Sequence, residues 1–221
     1  ASYSDVGTLD THTATIAWGD GTSTSGTVNA TAKTVAASHT YAESGTYTAT
    51  VTVTDDEGAS GAGSLTVTVA NAAPVVTAGS NQTIAEGGTA TVSAFYTDAG
   101  TLDTHTASIN WGDGTTTAGT INATAKTVAG SHVYAENGTF TVTVTVTDDE
   151  NASGWGSRTV TVTNVARVVT AGPNQTVAEG ASAPVSASYT DAGILDTHTV
   201  SINWGDGATT SGTVNATAKT V

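Results

Sequence analysis

Every second residue from Thr139 to Thr147 is threonine, and the positions between are Phe140, Val142, Val144 and Val146. A period of two buries one face of a β-strand and leaves the other in water. The same alternation runs from Thr46 to Thr54, and a shorter one from Thr159 to Thr163 follows a loop expected at Asp148 to Ser157. Further strands are predicted at Pro74 to Ala78, Thr83 to Ala85, Ala90 to Tyr96 and Ala107 to Trp111, with short edge strands at Thr120 to Ile121 and Thr127 to Val128. Gly-Ser-Asn and Glu-Gly-Gly turns separate them. No stretch carries a capped helical period, so the chain reads as all-β.

The pattern recurs. Trp-Gly-Asp-Gly stands at Trp18, Trp111 and Trp204, each 93 residues from the last, and Ala1 to Asn71 overlays Ala94 to Asn164 without gaps. Ala187 to Val221 overlays the start of both. A period of this length is a whole domain. The 221 residues therefore divide into a partial unit at 1–71, a complete one at 72–164 and a partial one at 165–221. Seven or so short strands per unit fit an immunoglobulin-like β-sandwich. The joints at Asn71 to Pro74 and Asn164 to Arg167 are so short that the tandem sandwiches are expected to stack as a semi-rigid rod. Repetition in series suits reach or avidity better than catalysis.

Composition narrows the chemistry. Cysteine and methionine are both absent, which removes disulfides, thiolate metal sites and thiol nucleophiles. The chain opens inside its own repeat without a start methionine and is expected to be a segment of something longer. No apolar run approaches the roughly 20 residues that span a bilayer and no signal peptide is present, so no membrane insertion is expected in this segment. Nineteen acidic against five basic residues give a net charge of −14. Such a surface repels phosphate backbones, which argues against nucleic acid, and attracts cations. Seven Asn-x-Ser/Thr sequons, from Asn29 to Asn215, are what a threonine-rich chain produces largely by chance.

Trp111-Gly-Asp-Gly-Thr115, then His132-Val-Tyr134, Gly138-Thr-Phe140 and the Val142 to Asp148 alternation, resemble the PKD domain, an immunoglobulin-like sandwich common in microbial surface and secreted proteins. The copy His39-Thr-Tyr41, Gly45-Thr-Tyr47 and Val51 to Asp55 is closer still. The resemblance implies an extracellular or cell-surface location. Trp18, Trp111 and Trp204 end strands and are expected to fill the small core. Tyr41 and Tyr134 are placed as tyrosine corners, whose hydroxyls bond upstream backbone. His39 and His132 are expected to brace turns, while His12, His105 and His198 have a better claim as ligands. Asp20, Asp113 and Asp206 read as turn residues.

The remaining carboxylates form a constellation. Each unit carries an Asp-x-Gly-x-Leu-Asp loop, with Asp5 and Asp10, Asp98 and Asp103, and Asp191 and Asp196 at its ends. Asp55-Asp56-Glu57 and Asp148-Asp149-Glu150 make a second set. In the sandwich order assumed, both loops share the pole at which the linker enters, so Asn71 arrives beside Asp98 and Asp148, and Asn164 plays the same part at the next joint. Crowded carboxylates without a nearby cation are unfavourable, and hard oxygens are what Ca²⁺ takes. None of the basic residues sits in these loops. A calcium ion is expected at each complete joint, drawn for the middle unit from Asn71, Asp98, Asp103, Asp148 and Asp149; some members of the resembling family hold calcium at the corresponding place. The competing reading is a solvated acidic loop of turn-forming aspartates.

Enzymatic chemistry is not expected. There is no Gly-x-Ser-x-Gly elbow, no acid is placed to orient His39 or His132, and paired carboxylates such as Asp98 and Asp103 lack an aromatic cleft for a sugar. The first functional reading is a non-catalytic spacer or stalk whose partners are neighbouring repeats of the same chain. Alternatives are a subunit of a self-assembling filament or sheath, with other copies as partners, and an adhesive module for polysaccharide or protein. The scarcity of aromatics argues against the last.

Overall fold

The computed structural model describes all residues except Thr8, the variable position of the first Asp-x-Gly-x-Leu-Asp loop. Every helix or strand among the described residues is a strand, and no helix is long and apolar enough to cross a membrane. The chain forms two compact units: Ala1–Val75 with Thr97–Thr106 and Thr147–Gly154, and Val76–Tyr96 with Ala107–Val146 and Trp155–Val221.

The threonine alternation becomes the central strand Gly138–Asp148, whose Val142, Val144 and Val146 are fully buried. It lies in a five-stranded sheet in the order Thr116–Ala118, His105–Asn110, Gly138–Asp148, Ser153–Thr163, Gln82–Ala85. A four-stranded sheet, Thr120–Asn122, Thr127–Val133, Thr89–Thr97 and Val75–Thr77, supplies Val92, Ala94, Tyr96 and Val128 to the same core. Gln82–Ala85 pairs parallel with Val160 to Thr163, whereas His105–Asn110 pairs antiparallel with Thr116–Ala118 and Thr127–Val133 antiparallel with both Thr120–Asn122 and Thr89–Thr97. Trp111, Ile109 and Tyr134 fill the centre.

In the first unit Ser23–Ser25, His12–Ala17, Gly45–Asp55 and Ser60–Val69 form one sheet, and Thr27–Asn29 with Thr34–Ala36 forms a separate pair. Its core is smaller: Ala14, Ile16 and Val35, with Tyr3, Trp18, Val51 and Val53 packed partly buried against it. In the last repeat Val168–Ala171 pairs with Ala187–Thr190 and Ser201–Asn203 with Thr209–Ser211.

Two expectations are corrected. The loop foreseen from Asp148 to Ser157 is only a four-residue turn, because Ser153–Thr163 is one long strand. Asp148 closes the turn by itself: its backbone N–H donates to Ala152 O at 3.0 Å, its Oδ1 accepts from Ala152 N at 2.7 Å, and Asn151 takes φ of 70°. Asparagine tolerates that left-handed conformation, as does Gly58 at the matching place in the first repeat. The strand expected at Thr127 to Val128 extends to Val133 because all seven residues pair with Phe95 to Thr89.

Three lysines repeat a further device. Lys33, Lys126 and Lys219 all sit at positive φ, 50° to 54°, and each holds its Nζ over a tyrosine ring, Tyr3, Tyr96 and Tyr189, at 5.3 to 5.5 Å from the centroid.

Candidate metal centre

The Asp-x-Gly-x-Leu-Asp loop folds back on itself, and its glycine is what allows this. A Cβ on Gly100 would lie 2.2 Å from the Asp103 carboxylate oxygens, and one on Gly7 would lie 1.9 Å from Asp10 Oδ2. The first aspartate is anchored by the histidine seven residues on: His105 Nε2 to Asp98 Oδ2 is 2.8 Å, His12 to Asp5 3.0 Å, and His198 to Asp191 2.6 Å. The second aspartate is left over. Asp103 is 8% exposed, and neither of its oxygens meets a hydrogen-bond donor.

Within the first compact unit Asp98, Asp103 and Asp148 each bring a carboxylate oxygen within 4.8 Å of the others. The linker contributes directly, since Asn71 Nδ2 donates to Asp148 Oδ2 at 2.9 Å. A second triad shares Asp103 with Glu43 and Glu150. Glu150 beside it, burial and the charge of Asp103 push Glu43 up to about 7. Burial, then the charge of Asp98, raises Asp103 above the ordinary aspartate value. Among these side chains no lysine or arginine forms an ion pair.

The other sequence candidates divide into turn formers and partial clusters. Asp149 Oδ1 accepts from Thr104 N and Asp56 Oδ1 from Thr11 N, both at 3.0 Å, so these two tie neighbouring loops together. Asp10 and Asp55 gather with Glu57, and burial and the charge of Asp5 raise Asp10. Asp5 is held low, first by the Gly7 N–H and then by His12. Asn164 is exposed. Asp191 and Asp196 gather with buried Glu86 in the second unit. No basic residue sits in these loops, but Arg167 of the joint reaches Asp191 at 3.4 Å and Asp196 at 3.8 Å.

Glu43 and Glu86 were missed by the sequence reading. The signal for Glu43 was present, since Tyr-Ala-Glu recurs at Tyr134 to Glu136 with the same 93-residue spacing.

The Trp-Gly-Asp-Gly turn also corrects an expectation, because an acid does orient each histidine. Asp20 Oδ2 lies 2.6 Å from His39 Nε2, and Asp113 Oδ2 2.6 Å from His132 Nε2. The other oxygen accepts a hydrogen bond from the Thr22 or Thr115 hydroxyl at 2.6 Å, and Thr115 Oγ1 also lies 3.5 Å from His132 Nε2. The imidazole stacks on Trp18 or Trp111, at 5.0 and 5.1 Å. This is a clamp on the turn. Trp204 has no histidine stacked on it among the described residues and is 39% exposed. Two exposed rings, Trp155 and Phe95, were not anticipated.

A family model described as PKD domain matches residues 1–70 and again 71–163. No curated protein matches the chain. Among solved structures, the PKD domain of an M14-like peptidase from Thermoplasmatales archaeon SCGC AB-540-F20 is 32% identical over 42% of this chain and 98% of its own, with a TM-score of 0.34. A tetra-tandem repeat in the extending region of a large adhesion protein aligns over 99% of this chain and 58% of its own at 17% identity, TM-score 0.43. The protocadherin gamma B4 extracellular domain aligns over 72% of this chain and 32% of its own at 21% identity, TM-score 0.31.

Proposed function

The chain belongs to the PKD domain family, and from that premise we propose that it serves as a non-catalytic run of extracellular repeats, a spacer or stalk whose joints are stiffened by calcium. The observation that carries the cation is Asp103, nearly buried, without a donor on either oxygen and packed against two further carboxylates. Crowding ionised carboxylates away from water is unfavourable unless a cation compensates them. The donors are all hard oxygens, and Ca²⁺ accepts six to eight of them, carbonyls and waters included, more flexibly than Mg²⁺ accepts its octahedron. Rotating the Asn71 amide would present Oδ1, and Glu43 and Glu150 stand beside the cluster. Because Asn71 lies in the linker and the aspartates in two loops of the following repeat, a cation held by all of them restrains the linker.

Calorimetric titration of Ca²⁺ into the chain tests this reading. Saturable binding is expected, with a thermal midpoint that rises with calcium and returns on addition of EDTA. No heat of binding together with a midpoint indifferent to EDTA would remove calcium from the account. Small-angle scattering with and without calcium tests the stiffening, which should appear as a narrower spread of chain dimensions.

A further inference from the structure

The joint at Asn164 to Arg167 is held by a residue that lies outside the acidic loops. Glu86 follows directly on Gln82–Ala85 and is 3% exposed. Its backbone N–H donates to Thr163 O at 3.0 Å, and the next N–H, that of Gly87, donates to Tyr134 O at 3.2 Å. One carboxylate oxygen, Oε1, accepts the N–H of Val165 in the joint at 2.7 Å. The other, Oε2, is buried and meets no donor.

That free oxygen is turned to the Asp-x-Gly-x-Leu-Asp loop of the last repeat. A Cβ added to Gly193 would lie 3.1 Å from Glu86 Oε2 and 2.8 Å from Asp196 Oδ2, so both oxygens converge over a glycine whose missing side chain leaves the space open. Gly87 packs on the same loop, since a Cβ there would lie 3.6 Å from Ala192. Asp191 completes the group: Glu86, Asp191 and Asp196 each bring a carboxylate oxygen within 4.8 Å of the others. His198 takes Asp191 Oδ2 at 2.6 Å, but Asp191 Oδ1 and Asp196 Oδ2 are buried without a hydrogen-bond partner. Three carboxylates, each with an orphaned oxygen, therefore meet at one place.

Arg167 does not balance them. Its side chain is 43% exposed, it approaches Asp191 and Asp196 only at 3.4 and 3.8 Å, and among the described residues it forms no ion pair with Glu86. One positive charge against three negative ones leaves a deficit in a site largely shielded from water, which is unfavourable unless a further cation enters.

We infer that Glu86, Asp191 and Asp196 hold a second divalent cation, with Glu86 as the ligand that fastens it to the linker. The donors are all carboxylate oxygens, which suits calcium, and waters entering beside Arg167 would complete its shell. Because Glu86 grips Val165 with one oxygen and the ion with the other, binding would tie the second repeat, the linker and the first acidic loop of the last repeat together at a single side chain. This site rests on the reading of the joints as cation-binding, but it shares no residue with the Asp103 cluster, so either can fail alone.

The test counts the calcium ions bound by the whole chain in calorimetric titration. Glu86→Gln keeps an oxygen for the Val165 N–H and removes the charge, and the count should fall by one from the parent. Asp103→Asn should remove a different ion, so the two substitutions together should remove two. Arg167→Gln, at an exposed side chain, withdraws the competing positive charge and should tighten the Glu86-dependent ion by about threefold or more. A count that survives Glu86→Gln overturns the inference and leaves Arg167 as the counter-ion of the cluster. So does Arg167→Gln if binding is unchanged or weaker. An ion lost to Glu86→Gln while Asp103→Asn loses none upholds this site and sinks the calcium reading of Asp103; a parent that binds no calcium overturns both.

Discussion

The Tyr134 hydroxyl donates a 2.7 Å hydrogen bond to the carbonyl oxygen of Trp111, 23 residues upstream, and Tyr41 repeats it to Trp18 at 2.9 Å. The bond ties the residue that opens the Trp-Gly-Asp-Gly turn to the segment that leads from Thr127–Val133 into Gly138–Asp148. Burial, then the charge of Asp113, pushes Tyr134 up to about 12, so the hydroxyl remains a donor at all ordinary pH values. Tyr134→Phe removes that donor from a fully buried carbonyl and should destabilise the second unit by about 1–3 kcal/mol. Tyr41→Phe should cost less, because Tyr41 is only half-buried and water can replace the hydroxyl. Urea denaturation of the two variants checks the order.

The glycine after each tryptophan occurs in two settings, with Gly19 resembling Gly112. Gly112 has φ of 84°, and a Cβ there would lie 2.6 Å from Thr141 O, while Gly205, at φ of 80°, would meet nothing within 4 Å. Gly205→Ala should therefore cost only the left-handed backbone term, about 1–2 kcal/mol. Gly112→Ala should cost clearly more, since the turn must also move away from backbone. Equal losses for the two variants in denaturation experiments would contradict the packing argument.

Asp20 supplies an acid-sensitive contact. The Thr22 hydroxyl, helped by the Thr22 N–H and His39 and opposed by burial, lowers it from 3.8 to about 2. A depressed carboxylate stabilises the fold above its unfolded value and loses that contribution as it is protonated. The thermal midpoint should thus fall as pH drops from about 4 towards 2, and Asp20→Asn should flatten the fall. A pH series of melting curves for parent and variant provides the check.

Asp103→Asn should change sign with calcium. Without the ion, removing a crowded carboxylate relieves repulsion from Asp98 and Asp148, so the variant should melt higher than the parent in EDTA. With calcium in excess it should melt lower, because the bound ion loses a ligand. Melting curves in the two buffers separate a cation site from a merely acidic loop, for which no crossover is expected.

The strands were legible where threonine alternated with valine, as in Gly138–Asp148, because a period of two has one structural meaning when one face is buried. The turns were legible at Gly112 and Gly114 for their positive φ. Other features depended on register between distant strands. Asp113 and His132 are 19 residues apart, and only the meeting of their strands around Trp111 brings carboxylate to imidazole. Arg167 looks like a linker residue until Asp191 folds onto it, and Glu43 looks like a turn residue until Asp103 and Glu150 surround it.

The lysines over the tyrosine rings have a consequence for how the molecule meets others. They are three of only five cationic side chains; Arg158 bonds the carbonyls of Ser80 and Thr91, and Arg167 is engaged by Asp191 and Asp196. All of the chain's positive charge is thus engaged inside its own repeats. Against 19 acidic residues these cations leave a net charge of −14, so identical chains repel at low ionic strength and come together more readily as salt shortens the range of that repulsion.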